Sequence, residues 1–196
     1  MFRSVILLAF VAWAGVAHAS AIIAENLDGT EISNPLFAWG QSFTTPAGPG
    51  WNQISVNFYS DPGVPVAAGT GYLFLSAYTG TPNQLSASTP LATATSNGSV
   101  WTFPTSLVLA GSTQYFFYSD AFINRIIGNQ DSYAGGSYFG NDFNNLDSPF
   151  VDMAPRSINF TVAGVAVPEP STWLLLIAGF GLIGHRLRRA PRAAAA

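Results

Sequence analysis

The chain has 196 residues, no cysteine, two histidines and a formal net charge of −3. No disulfide framework is therefore available, and because the histidines are His18 and His185, the long stretch between them has neither His, Cys nor Lys. That excludes Ser–His–acid and Cys–His nucleophiles, zinc sites built on imidazole or thiolate, and Schiff-base chemistry from the middle of the chain.

The net charge hides an asymmetry. Residues 20–166 hold two basic side chains, Arg125 and Arg156, against nine carboxylates, a net of −7. Such a surface repels phosphate backbones, so nucleic acid is not an expected partner.

Met1 to Ala19 carries Arg3, an apolar core from Val5 to Val16, and Ala17-His18-Ala19. A positive start, a short apolar segment and a small-x-small ending predict a secretory signal peptide, cut by signal peptidase after Ala19 to leave Ser20 as the mature N-terminus. The mature domain, residues 20–166, is then large enough to bury a core without staples.

Within that domain, β-forming and turn-forming residues alternate at short intervals and no long 3.6-residue stripe appears. Ala38 to Thr44 is the first predicted strand, ended by the turn Pro46-Ala47-Gly48-Pro49-Gly50. Asn52 to Ser60 puts Ile54, Val56 and Phe58 on one face, and Asp61-Pro62-Gly63 closes it. Gly71 to Thr79 is apolar on both faces and suits a central strand. Gly80 to Pro90 is expected to be a loop. Leu91 to Thr95 and Ser99 onward flank Asn97-Gly98, a hairpin turn signal; Pro104 breaks the second of these strands. Leu107 to Ala110, Gly111-Ser112 and Thr113 to Ser119 predict a second hairpin. Phe122 to Ile127 is a further strand, and Gly128 to Pro149 reads as loop. Ser157 to Val162 alternates, with Ile158, Phe160 and Val162 inward and Ser157, Asn159 and Thr161 outward. Val162 to Val167 runs into a short linker. About eight or nine strands at this spacing predict an all-β fold, a single β-sandwich domain.

Few residues of the domain carry a legible chemistry. Asp142, Asn144, Asn145 and Asp147 in GNDFNNLD offer hard oxygen ligands that suit Ca²⁺, although no EF-hand pattern is present; the alternative is a solvated loop whose Asn and Asp serve turns. No other cofactor is expected. Trp39, Trp51 and Trp101 are its tryptophans. Aromatics of a small sandwich mostly belong to the core, but Trp51 in its turn, then Tyr133 and Tyr138 in the glycine-rich loop, are the candidates for stacking on sugar rings. A carboxylate pair such as Asp142 with Asp152 would be needed for glycoside hydrolysis.

The last segment has three parts. Pro168-Glu169-Pro170 is stiff and non-helical. Ser171 to Gly184 is uncharged and apolar, with Trp173, Leu174, Leu175, Leu176, Ile177, Phe180, Leu182 and Ile183 as anchor candidates. His185, Arg186, Arg188, Arg189 and Arg192 form a basic stop. An apolar helix halted by arginines predicts a transmembrane anchor with the arginines on the cytoplasmic side. A helix from Ser171 to Leu187 is about 25 Å long at roughly 1.5 Å per residue, which is short for a span; arginine stems can snorkel to cover part of the deficit.

VPEPSTW at Val167–Trp173, the glycine-bearing helix and HRLRR at His185–Arg189 together resemble the PEP-CTERM sorting signal of exported Gram-negative proteins. The resemblance covers residues 167–196. It implies a transient stay in the inner membrane, recognition by an exosortase-type transpeptidase, cleavage near Pro-Glu-Pro, and delivery to the cell surface or an exopolysaccharide matrix. The segment Leu107–Tyr118, the early AWGQSFT and the late strand also look like the jelly-roll domains found upstream of such tails. The reading that follows is a non-enzymatic structural or adhesive module that binds extracellular polysaccharide. A carboxylate-based glycoside hydrolase and a calcium-stabilised spacer are the alternatives.

Overall fold

The computed structural model describes residues 19–33, 38–61, 67–121, 125–128, 133–141, 145–168 and 170–189. The proposed signal peptide up to His18, and Asp131, Asp142, Asn144, Glu169 and Arg192, lie outside the described residues.

The domain is all-β and antiparallel. Its strands are β1 (Ala21–Asn26), β2 (Glu31–Ser33), β3 (Trp39–Thr44), β4 (Trp51–Phe58), β5 (Thr70–Phe74), β6 (Ala92–Asn97), β7 (Val100–Thr102), β8 (Gln114–Ser119), β9 (Arg125–Gly128), β10 (Tyr138–Gly140), β11 (Val151–Asp152), β12 (Ser157–Ile158) and β13 (Phe160–Ala166). Ten of them form one hydrogen-bonded series, β1-β13-β4-β7-β6-β5-β8-β3-β10-β11; β12-β9-β2 form a small separate sheet.

The long series folds back on itself at β6. The first part of this strand, Ala92 to Thr95, pairs with β5, and its end, Ser96 and Asn97, pairs with β7. Gly98 makes the β6–β7 turn at φ +64, a conformation that glycine adopts freely. The two halves then meet face to face. Phe58 of β4 stacks on Phe117 of β8 at 5.2 Å; Trp39 of β3 meets Phe58 edge-on at 4.4 Å; Trp101 of β7 meets Phe117 at 5.3 Å. Edge-to-face and offset pairs at these distances add about 0.5–1.5 kcal/mol each beyond burial. With Ile54, Val56, Leu73, Ile158, Phe160 and Val162 these rings make the main core. The alternation expected of β4 and of the inward face of β13 is met: Ile54, Val56, Phe58, Phe160 and Val162 are all buried.

The half-sheet built on β5, β8 and β3 is covered on both faces. Its outer face carries Tyr72, Phe74 and Tyr118, packed under Leu85 and Phe150. Leu85 belongs to a 3-10 helix, Pro82–Ala87, where only a loop was expected. Tyr118 ties the connecting segment down twice: its hydroxyl accepts from the Tyr78 N–H at 3.1 Å and donates to the Tyr78 carbonyl at 3.3 Å. Gly40 of β3 is needed beneath this layer, since a Cβ there would lie 2.4 Å from the Tyr118 ring.

Four expectations are corrected. The hairpin Leu107–Tyr118 is not a ladder: Leu109 exchanges two 2.8 Å hydrogen bonds with Trp51 of β4 instead, and Gln114 to Ser119 pair with β3. A turn precedes it, in which the Pro104 carbonyl accepts the Leu107 N–H at 3.0 Å. Ser157 and Asn159 point inward, not outward. Asn159 is 6% exposed and clamps the Leu27–Gly29 bend, accepting from the Gly29 N–H at 2.8 Å and donating to the Gly29 carbonyl at 2.9 Å. Strands β1 and β2, before Ala38, and β10 and β11, in or just after the predicted loop, were not foreseen.

The last correction concerns the tail. Residues Pro170–Arg189 form one α-helix, but no helix among the described residues is long and apolar enough to cross a membrane. The cause is compositional. The apolar run from Trp173 to Ile183 covers about 16 Å at ~1.5 Å per residue, roughly half a ~30 Å hydrocarbon core, and Ser171, Thr172 and the arginines flank it.

Candidate functional site

Two places could carry function: the junction where the helix leaves the domain, and a cleft at the other end of the sandwich.

The junction is built by the centre of a sheet. β13 lies between β1 and β4, so the last strand is held on both edges. Ala166 is paired with Trp51, and the Val167 N–H donates to the Gly50 carbonyl at 2.7 Å. Helix geometry begins at Pro170. Only Pro168 and Glu169 separate the last sheet hydrogen bond from the helix, so the link from Val167 to Pro170 reaches at most about 10 Å. The sorting motif therefore begins with no spacer beyond the last sheet hydrogen bond. A proline start suits the helix, whose first turn needs no intrahelical N–H.

Beyond it, Trp173, Leu174, Leu175, Leu176, Ile177, Phe180, Leu182 and Ile183 are all exposed, Leu175 by 74%. Side chains of this kind are worth about 1.5–3 kcal/mol each when fully buried. Nothing among the described residues buries them. Gly179, Gly181 and Gly184 have open space around them.

The cleft lies on the outer face of the doubly covered half-sheet. It has a volume of about 310 Å³ and is lined by Ala38, Tyr72, Pro82, Asn83, Leu85, Ser86, Asp120 and Leu146. β5 supplies Tyr72 and the 3-10 helix supplies Pro82 to Ser86. Asp120 follows β8 and is held in place by the Thr70 N–H, which donates to its Oδ1 at 2.6 Å. The Tyr72 hydroxyl lies 3.5 Å from Asp120 Oδ2. Burial pushes the Tyr72 phenol upward, and the neighbouring Asp120 carboxylate adds to the rise, so this hydroxyl stays protonated and able to donate. The opposite wall is fixed by Asn83, whose amide donates to Asp147 Oδ1 at 2.7 Å and whose backbone N–H donates to the Leu146 carbonyl at 3.3 Å. Asp120 is the one carboxylate among the lining residues, and it faces hydroxyl and amide groups.

Residues singled out from the sequence are placed as follows. Trp51 is half-buried against the main core, and its indole N–H is buried without a hydrogen-bond partner among the described residues. Tyr138 is 1% exposed. Tyr133 rests edge-on against Phe160 at 5.1 Å, its hydroxyl accepting from the Thr44 N–H at 3.1 Å; burial raises its pKa. Tyr138 is thus a core residue, while Trp51 and Tyr133 are partly buried with one side packed on the core. Asp147 holds Asn83 and, through its N–H, the Asn145 side chain at 3.0 Å. Among the described residues no group of three His, Cys, Asp or Glu could hold a metal ion; Asp142 and Asn144 are outside them. Asp152 accepts from the Ala154 N–H at 2.9 Å, a turn role. The cleft was missed because its residues are scattered over more than a hundred positions with no motif; the one local signal was Thr-Pro-Asn at 81–83, a helix start inside an apparent loop.

Residues 166–192 match the PEP-CTERM protein-sorting motif. No curated protein matches the chain. The sorting motif, starting on the last residue of β13, implies an exported protein that associates transiently with the membrane and is processed there by an exosortase.

Proposed function

We propose that this protein is a non-enzymatic surface or extracellular-matrix module. A signal peptide directs it out of the cytoplasm. The tail helix holds it at the inner membrane until a transpeptidase cuts near Pro168-Glu169-Pro170 and passes the jelly-roll-like domain outward. The observation that carries this reading is the sorting motif abutting a sheet-embedded strand, without a spacer. With about 16 Å of apolar helix at ~1.5 Å per residue, the tail seats in the membrane with its arginine stems snorkelling to the headgroups. No cofactor is required.

Polysaccharide binding is the adhesive activity we assign to the domain, and the cleft is its site. A phenol, a carboxylate, a side-chain amide and a hydroxyl around a small apolar floor of Pro82 and Leu85 suit a sugar, which offers many hydroxyls and a few C–H faces. The test has two arms. In an exosortase-bearing Gram-negative host, the wild-type chain should lose the tail and leave the membrane fraction. A chain with Pro168, Glu169 and Pro170 all replaced by Ala should stay there at full mass. On a glycan array, the 20–166 domain should bind acidic-free polysaccharides, and Asp120→Asn or Asn83→Ala should reduce that binding at least about tenfold, the effect of ~1.4 kcal/mol. Retained binding in both variants would rule out the cleft.

A further inference from the structure

We infer that the sandwich docks end-on against the lipid surface before it is released, with one particular end facing the bilayer. The inference rests on the membrane seating of the tail proposed above and adds the orientation of the domain.

The register of the strands defines two ends. β13 runs from Phe160, paired with Asn26 and Phe58, to Ala166, paired with Trp51. The end where it finishes is built from the start of β1, the bend of residues 45–50, and residues 103–113. Leu109 is bonded to Trp51, Ser112 N–H to the Pro46 carbonyl at 3.0 Å, and Thr45 N–H to the Thr113 carbonyl at 3.0 Å. The opposite end carries residues 27–31, 59–61 and the residues after β8.

These ends differ in charge. Glu25, Asp28, Glu31, Asp61 and Asp120 all lie toward the end away from the tail. Residues 45–50 and 103–113 contain no charged residue at all. In a domain of net −7 that is a strong polarity. The tail end instead exposes apolar groups: Val108 by 55%, Ile22 on β1 by 60%, and Pro46 and Ala47 in the bend.

The tether decides what covers this end. The link from Val167 to Pro170 reaches at most about 10 Å. A helix seated in a membrane therefore holds the bend of residues 45–50 within one headgroup layer of the lipid. An acidic surface there would be repelled by anionic phospholipid; an uncharged one carrying Val108 and Pro46 is not. The same orientation turns Asp120 and the cleft away from the bilayer.

The chain has no cysteine, so single cysteines can be spin-labelled cleanly. Ala47→Cys reports on the tail end and Thr30→Cys on the far end; both positions are exposed. The mature chain, residues 20–196, bound to phosphatidylethanolamine–phosphatidylglycerol vesicles, is probed with oxygen, which concentrates in lipid, and with an aqueous nickel chelate. The label at position 47 should lose most of its nickel accessibility on vesicle binding while that at position 30 keeps its own. Val108→Asp, an exposed position, should restore accessibility at 47 without changing vesicle sedimentation. Equal accessibility at both labels in sedimented protein would overturn the orientation while leaving the anchor intact. Shielding of position 47 without vesicles would assign the face to a second copy and overturn it as well. If the mature chain did not sediment with vesicles, the anchor itself would fail and the orientation with it.

Discussion

The sandwich and the helix that follows it are made from similar side chains with opposite fates. Phe58, Leu73 and Phe117 are essentially inaccessible, whereas Leu175 and Phe180 are 74% and 70% exposed. In the domain each apolar strand face finds a facing sheet, and the rings interlock at 4.4 to 6 Å. The helix has every apolar residue it needs to bury, and among the described residues no protein surface covers them. Apolar content alone therefore says little about stability. What matters is whether a complementary layer exists, and in the function proposed above that layer, for the tail, is lipid.

Four measurements test this contrast. The largest effect belongs to the domain core. Phe117→Ala removes the ring shared by Trp39, Phe58, Trp101 and Phe103, and should cost about 3–5 kcal/mol in urea unfolding; the milder Phe117→Leu should cost less and remain measurable if the first does not fold. Neither should alter vesicle sedimentation of folded protein. Next, Ile177→Asp in the tail should leave the domain's unfolding midpoint where it was. On an insertion scale a central Asp costs about 2.5–3.5 kcal/mol, so vesicle partitioning should fall roughly a hundredfold. A shifted midpoint would mean the helix packs on the domain.

Third, Asn159→Ala should destabilise the domain by about 1–3 kcal/mol, because it strands the Gly29 N–H and carbonyl. The smallest effect is expected from alkali. Burial raises the phenol pKa of Tyr72, Tyr78, Tyr118 and Tyr133. The unfolded chain then loses these protons near pH ~10 while the folded chain keeps them, so stability is full below that pH and declines as pH rises further. Absorbance of tyrosinate should lag behind free tyrosine and rise together with loss of the β signal. The tail has no tyrosine, so its helix should be indifferent over the same range.

Local signals were easiest to read where the physics is local. The turn at Asn97-Gly98 needs only the φ freedom of Gly98. Ile54, Val56 and Phe58 needed only a period of two. Asn159 defeated the same rule, since its alternation says outward while a bend over a hundred residues away supplies the partners that make burial favourable. Leu107 to Ala110 looked like one arm of a hairpin, yet the neighbour it chose was Trp51, set by where β4 already lay. Trp51 looked like a turn residue free to meet a sugar; the closing of the sheet put its ring against the core.

The sorting motif, the all-β class, the uneven distribution of charge and the residue types missing from the middle of the chain were legible in the order of residues, because each is a property of composition or of a short contiguous pattern. It took the folded arrangement to show that the series of strands doubles back at β6, that one half-sheet carries a second aromatic layer, that Tyr72, Asn83, Ser86 and Asp120 share a cleft, and that the uncharged loops gather at the end where the tail departs. Those features depend on which distant segments become neighbours, and strand pairing between distant segments leaves no mark in the order of residues along the chain.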